Sequence, residues 1–105
     1  MNIVSAVYFG KLRELLGVKG EKLFVEEGAT VMDLLVNLIP KQHPGASMIW
    51  VVTIFKKVKG EGAQGGEGTL VLGDFIVTLN GRTAKLEDRL KEGDEVAVMP
   101  PFGGG

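Results

Sequence analysis

Residues 99–105 read Met99-Pro100-Pro101-Phe102-Gly103-Gly104-Gly105, and the group in this run that can take part in chemistry is the carboxylate of Gly105. A terminal carboxyl has a pKa near 3.5, so at neutral pH it is ionised and a poor electrophile until something activates it. Gly103, Gly104 and Gly105 have no side chains, which suits passage through a narrow channel and close approach of a partner's backbone. Fully extended, residues 102–105 reach about 13–14 Å at roughly 3.3–3.6 Å per residue, enough to enter a site on another protein while the folded body stays outside. Pro100 and Pro101 fix φ at the base of this tail and limit the entropy lost on insertion. Glycine-rich termini are most often passive ends. A terminal Gly-Gly pair, however, arises by chance only about 0.5% of the time at a usual glycine content of about 7%. The tail is therefore a candidate functional element, with Gly105 as the reacting group and Gly104 giving access to it.

The rest of the sequence removes most other chemistries. There is no cysteine, hence no disulfide, thiolate nucleophile or thiolate metal site, and the single histidine, His43, cannot complete a histidine cluster. Between Gln42 and Pro44, at an expected helix end, His43 reads as an exposed or capping residue. Twelve basic residues against thirteen acidic ones leave a net charge of −1, too little field to hold a nucleic acid. Lys56, Lys57 and Lys59 read as a solvated face. No resident metal or cofactor is expected. Met1 leads directly into a strand-like stretch with no secretion signal ahead of it. The longest largely apolar run, residues 48–55, falls far short of the roughly 20 residues that cross a bilayer. A cytoplasmic protein without membrane contact is the expectation.

The elements that must position the tail can be read in order. At 105 residues, with 45% apolar and 24% charged residues, the chain is sized and composed for a single domain, 1–105, around one core. Residues 3–9 alternate two largely apolar sets, which reads as a central strand covered on both faces. Leu12, Leu15 and Leu16 give a short helix closed by Gly17 and Gly20, and a second strand follows over 21–26. Thr30 and Asp33 form a variant capping box ahead of a helix whose stripe is Val31, Leu34, Leu35 and Leu38. Pro40 either ends that helix near Ile39 or leaves it kinked toward His43. Residues 48–58 are β-branched enough for a strand and long enough for a helix, and pattern leaves the two open; Trp50 within them reads as core by default, with an exposed partner patch as the alternative. Residues 59–68 hold five glycines and nothing apolar larger than Ala63, so a mobile surface loop is expected. Residues 69–72 and 75–79 read as strands, and Asn80-Gly81 as a tight turn into a short return strand. Leu86 and Leu90 suggest a helical turn, and Gly93-Asp94 leads into a last strand over 95–99. This order predicts an α+β domain of β-grasp type, a mixed sheet packed on one main helix. If the last strand lies parallel beside the first, the chain leaves the sheet at the Phe9 end.

At this point the sequence resembles the small subunit of molybdopterin synthase, within the ubiquitin-like sulfur carriers. The resemblance rests on Val7-Tyr8-Phe9 with Leu12-Arg13-Glu14, and on Gly28-Ala29-Thr30-Val31 with Leu34-Leu35. It continues through Leu79-Asn80-Gly81-Arg82, Leu90-Lys91-Glu92-Gly93-Asp94-Glu95-Val96 and Pro100-Pro101-Phe102-Gly103-Gly104-Gly105, leaving residues 46–72 uncovered. Gly103 and Phe102 depart from the usual small residue and Val of that family, without removing the terminal pair.

The resemblance implies a ubiquitin-like β-grasp fold with a flexible C-terminal Gly-Gly tail. It implies that a separate E1-like adenylating enzyme uses ATP to convert the Gly105 carboxylate to an adenylate, and that a sulfur donor protein displaces AMP. The thiocarboxylate then delivers sulfur to a pterin precursor in the large catalytic subunit, on the way to a molybdenum or tungsten cofactor. On this reading the chain is a sulfur-donating subunit with no self-contained active site and no bound cofactor. The same tail suits a carrier for tRNA thiolation or a modifier joined to protein lysines, and a β-grasp binding module with passive glycines is the alternative of a different class.

Overall fold

The computed structural model describes residues 1–59 and 68–101. Its elements are β1 (Asn2–Tyr8), α1 (Lys11–Leu16), β2 (Gly20–Val25), α2 (31–42), α3 (Ser47–Ile54), β3 (Phe55–Lys59), β4 (Gly68–Leu72), β5 (Ile76–Leu79), β6 (Arg82–Thr83) and β7 (Glu95–Met99). Five strands form a mixed sheet in the order β2-β1-β7-β5-β6, in which β1 runs antiparallel to β2 and parallel to β7. The expected α+β β-grasp order is thus present, with β1 interior in the sheet.

The expectation that β1 is covered on both faces is corrected. Val4, Ala6 and Tyr8 are buried with Leu34, Leu35, Ile39 and Trp50 in a single core, whereas Ile3 and Phe9 on the other face are exposed. The helices bury their apolar residues against one side of the sheet, so apolar residues on the other side stay partly open to solvent.

Helix α2 starts on the expected capping box. The Asp33 N–H donates to Thr30 Oγ1 at 3.2 Å, and the Thr30 N–H donates to Asp33 Oδ2 at 2.9 Å. The helix is α-helical over Val31–Asp33, π-helical over Leu34–Leu38 and α-helical again over Ile39–Gln42. It therefore runs through Pro40 toward His43, one of the two outcomes left open above. The widened turn explains how. A proline inside a helix lacks an N–H and crowds the carbonyl four residues back, and here the Ile39 N–H already reaches five residues back, to the Leu34 carbonyl. In that register the Leu35 carbonyl would accept from residue 40, where proline has no proton to give. Trp50 on α3 supplies one instead: its Nε1–H donates to the Leu35 carbonyl at 2.8 Å. The extra residue per turn also carries the apolar stripe onto Ile39, which is fully buried, while Leu38 is only half-buried.

Residues 48–58 divide between a helix and a strand. Trp50 and Ile54, four residues apart, are both fully buried, and this packing outweighs the β-branched composition. Trp50 is in the core as expected, edge-on to Tyr8 with ring centroids 5.6 Å apart. Phe55 then begins β3, which pairs with β4 in a separate two-stranded sheet. Residues 69–72 are therefore a strand, though outside the main sheet. Lys59 pairs with Gly68, so both ends of the expected loop 59–68 belong to this ladder, and residues 60–67 lie outside the described residues.

Asn80 and Gly81 both adopt positive φ, at 51° and 84°, as the tight turn requires. Of the helical turn expected around Leu86 and Leu90, a single hydrogen-bonded turn forms, the Asp88 N–H donating to the Lys85 carbonyl at 3.0 Å, and Arg89 then bridges to Thr30 in place of further helix. The Leu90 N–H donates to the Ala29 carbonyl and the Val31 N–H to the Asp88 carbonyl, so this segment straps the start of α2. Backbone groups satisfied by a distant segment do not need a helix of their own. Among the described residues no helix is long and apolar enough to cross a membrane.

Candidate functional site

The parallel pairing of β7 with β1 decides where the tail begins. Tyr8 lies opposite Val98, and the Phe9 N–H donates to the Val98 carbonyl at 3.2 Å, so the chain leaves the sheet at Pro100 beside the Phe9 end, as expected. Gly10 sits against this exit with φ 60° and ψ −140°. A Cβ there would lie 2.8 Å from Pro100 Cγ, so two independent constraints demand glycine. Gly10→Ala is expected to cost about 1–3 kcal/mol, read as a lower urea midpoint; an unchanged midpoint would show that Pro100 gives way freely.

Pro100 and Pro101 form one wall of a groove of about 520 Å³ whose other walls include Val52, Phe55 and Phe75, with Lys11, Lys56 and Asp74 at its edges. The Lys11 ammonium lies 5.8 Å from the Phe75 ring centroid. On the other side of the exit, Arg13 Nε donates to the Tyr8 carbonyl at 2.7 Å, and its guanidinium lies over the Phe9 ring at 5.2 Å. The two residues predicted to carry the chemistry, Gly104 and Gly105, lie outside the described residues. The structure thus positions the base of the tail.

Sequence reading missed a polar cluster just behind this base. Tyr8 Oη donates to Glu21 Oε2 at 2.6 Å, and the same carboxylate oxygen lies 2.7 Å from His43 Nε2. His43 does occupy the expected cap position, its N–H donating to the Ile39 and Pro40 carbonyls, but its ring is half-buried against Glu21. No spacing signal links positions 8, 21 and 43; the β1–β2 hairpin and the end of α2 bring them together. Burial first, then the hydrogen bond to Glu21 and its negative charge, push the Tyr8 phenol well above its ordinary pKa of 10.0. Because the native state holds this proton more tightly than the unfolded chain, the associated stability is complete below the ordinary tyrosine pKa and is lost as pH rises beyond it. The loss should approach about 1.4 kcal/mol per pH unit above that point. Tyr8 is the sole tyrosine, so urea midpoints across the alkaline range for the parent and Tyr8→Phe isolate the effect. Parallel pH profiles for the two proteins would contradict it. Among the described residues no group of three His, Asp or Glu side chains could hold a metal ion.

With the exit geometry established, comparison with known proteins is decisive. The family model described as the ThiS family matches residues 6–105, so it runs from β1 through the tail. The chain belongs to the ThiS family. A curated relative from Chlamydomonas reinhardtii, a molybdopterin synthase sulfur carrier subunit, is 29% identical to this ThiS-family chain over 104 residues, covering 97% of the chain and 98% of the relative. A solved structure from Pyrococcus furiosus, described as a putative molybdopterin converting factor subunit 1, is 32% identical with a TM-score of 0.65, covering 97% of this chain and all of that one. The solution structure of small archaeal modifier protein 1 from Methanosarcina acetivorans is 28% identical with a TM-score of 0.69, covering 100% and 98% of the two chains. These likenesses extend through residues 46–72, where the sequence motifs alone showed none.

Proposed function

We propose that this chain is a sulfur carrier, the small subunit of a molybdopterin synthase, and that the Gly105 carboxyl is its working group. The observation that carries the reading is the β1–β7 pairing, which brings the chain out at one end of the sheet with residues 102–105 still to follow. The sulfur-carrier relative, similar along almost its whole length, supports the same assignment.

The chemistry needs no acid or base from this chain. On an E1-like adenylating partner, a Gly105 carboxylate oxygen attacks the α-phosphorus of ATP and pyrophosphate leaves. The terminal sulfur of a donor protein's persulfide then attacks the acyl carbon and AMP departs, taking one carboxyl oxygen with it; a thiol next cleaves the S–S bond of the resulting acyl disulfide and leaves as a disulfide with the donor. The product is a C-terminal thiocarboxylate. A free carboxylate would have to expel an oxide ion, whereas the adenylate expels a stable phosphate monoester. Gly104 keeps the approach to this carbon narrow, and a large catalytic subunit holds the pterin precursor that accepts the sulfur. ATP is used on the activating partner, in a cytoplasmic setting, and no cofactor resides in this chain.

The test is to incubate the purified chain with ATP, an adenylating partner and a sulfur source, then to measure the mass of the intact chain and of its C-terminal peptide. Replacement of one oxygen by sulfur on Gly105 is the expected result. An unchanged mass, with an enzyme that loads another carrier in the same mixture, would overturn the reading. The likeness to small archaeal modifier protein 1 favours a second reading, attachment of Gly105 to protein lysines. That reading predicts a ladder of conjugates on a gel when the activated chain meets a lysate.

A further inference from the structure

Helix α3 presents an outward surface that the fold does not explain. Its eight residues, SMIWVVTI, are apolar almost all round. Trp50 and Ile54 satisfy the core, yet Met48, Ile49 and Val52 remain 79%, 55% and 70% exposed. Met48 and Ile49 precede Val52 by four and three residues, so the three share one helix face. A surface helix ordinarily turns polar residues to solvent. This stripe also has a definite neighbour, since Val52 lines the groove that contains Pro100 and Pro101.

Position narrows what can cover it. A protein acting on the Gly105 carboxyl works within the roughly 13–14 Å that residues 102–105 can span, so its rim lies against the surface around the exit, with the groove and the adjoining face of α3 on one side and Phe9 with Arg13 on the other. The α3 side carries the more exposed apolar surface, with Val52 at 70% against Phe9 at 37%. Lys11 and Lys56 stand at the groove's edge with one carboxylate, Asp74, and among the described residues neither lysine is in a salt bridge. An apolar patch edged by cations is matched by an apolar surface edged by carboxylates.

We propose that Met48, Ile49 and Val52, flanked by Lys11 and Lys56, form a docking surface for the large catalytic subunit. The inference rests on the reading of the tail as a sulfur donor. The catalytic subunit is favoured over the activating enzyme because the sulfur-carrier relative is described as a subunit, which implies lasting association. Lasting interfaces are large and apolar at their centre.

Val52→Asp, Met48→Asp and the pair Lys11→Glu with Lys56→Glu, each in the full chain, test the proposal through three measurements: Kd for the catalytic subunit, rate of thiocarboxylate formation, and urea midpoint. Val52→Asp and Met48→Asp are each expected to weaken subunit binding by about ten-fold or more, with loading rate and midpoint unchanged. The lysine pair should slow association and flatten its salt dependence. Parent-like Kd values for both aspartate variants would overturn the proposal. Slowed loading with an unchanged Kd would overturn it by assigning the face to the activating enzyme. Failure of the tail reading would look different: the parent chain itself would never take up sulfur, whatever its affinity for the subunit.

Discussion

Deleting Gly105, or replacing Gly104 with Val, is expected to abolish sulfur loading of the chain without changing the urea midpoint of its folded body. Deletion draws the carboxyl back by one residue, about 3.3–3.6 Å. Misplacing a reacting group by even 1 Å costs on the order of 100-fold in rate, so the shortened tail is expected to lose at least that much. Valine acts differently. It keeps the reach but adds a β-branched side chain where a close-fitting channel has room for backbone only. The body should not notice either change, because its core is built from residues 4–98. Intact-mass measurement of the thiocarboxylate, with the urea midpoint as a control, reads both effects. Loading of the deleted chain at the parent rate would show that the reacting carboxyl need not be the one on Gly105.

Trp50→Ala is expected to be the most damaging single change to the fold. Trp50 is fully buried, packs edge-on to Tyr8 and donates its indole N–H to the Leu35 carbonyl. Large-to-small changes of this kind cost about 3–5 kcal/mol, against a total stability of roughly 5–15 kcal/mol for a domain. The variant should therefore lose a large share of its stability, read as a sharply lower urea midpoint. Trp50→Phe separates the two contributions, because it retains much of the ring but leaves the Leu35 carbonyl without a donor, at a cost of about 1–3 kcal/mol. That orphaned carbonyl arises from Pro40, which cannot supply the N–H that the widened turn of α2 would use. The combination of Pro40→Ala with Trp50→Phe should therefore lose less than the sum of the two single changes. Strict additivity in urea titrations would show that the indole contributes packing alone.

The two mutations divide the molecule as its sequence does. What residue types and spacing determined by themselves was local or terminal. Thr30 and Asp33 cap α2 because the partners lie three residues apart. Asn80 and Gly81 turn the chain because both tolerate positive φ. The terminal glycines stood out as a candidate by residue type and position alone, and the exit of the chain at Pro100 followed from pairing the last strand beside the first.

Tertiary structure decided what depended on residues far apart in the chain. Whether residues 48–58 were helix or strand turned on Trp50 and Ile54 meeting α2 and β1, a packing term larger than the propensity difference that left both open. The bare face of the sheet appeared only once the helices had gathered on the other side. The Tyr8–Glu21–His43 cluster joins three elements whose sequence separations carry no periodic signal. The groove beside Pro100 likewise draws its walls from α3, from the chain ahead of β5 and from the end of β7. Local chemistry depends on neighbours in the chain and can be read from it, whereas burial and long-range polar contacts depend on which surfaces meet, and that is settled only when the whole chain packs.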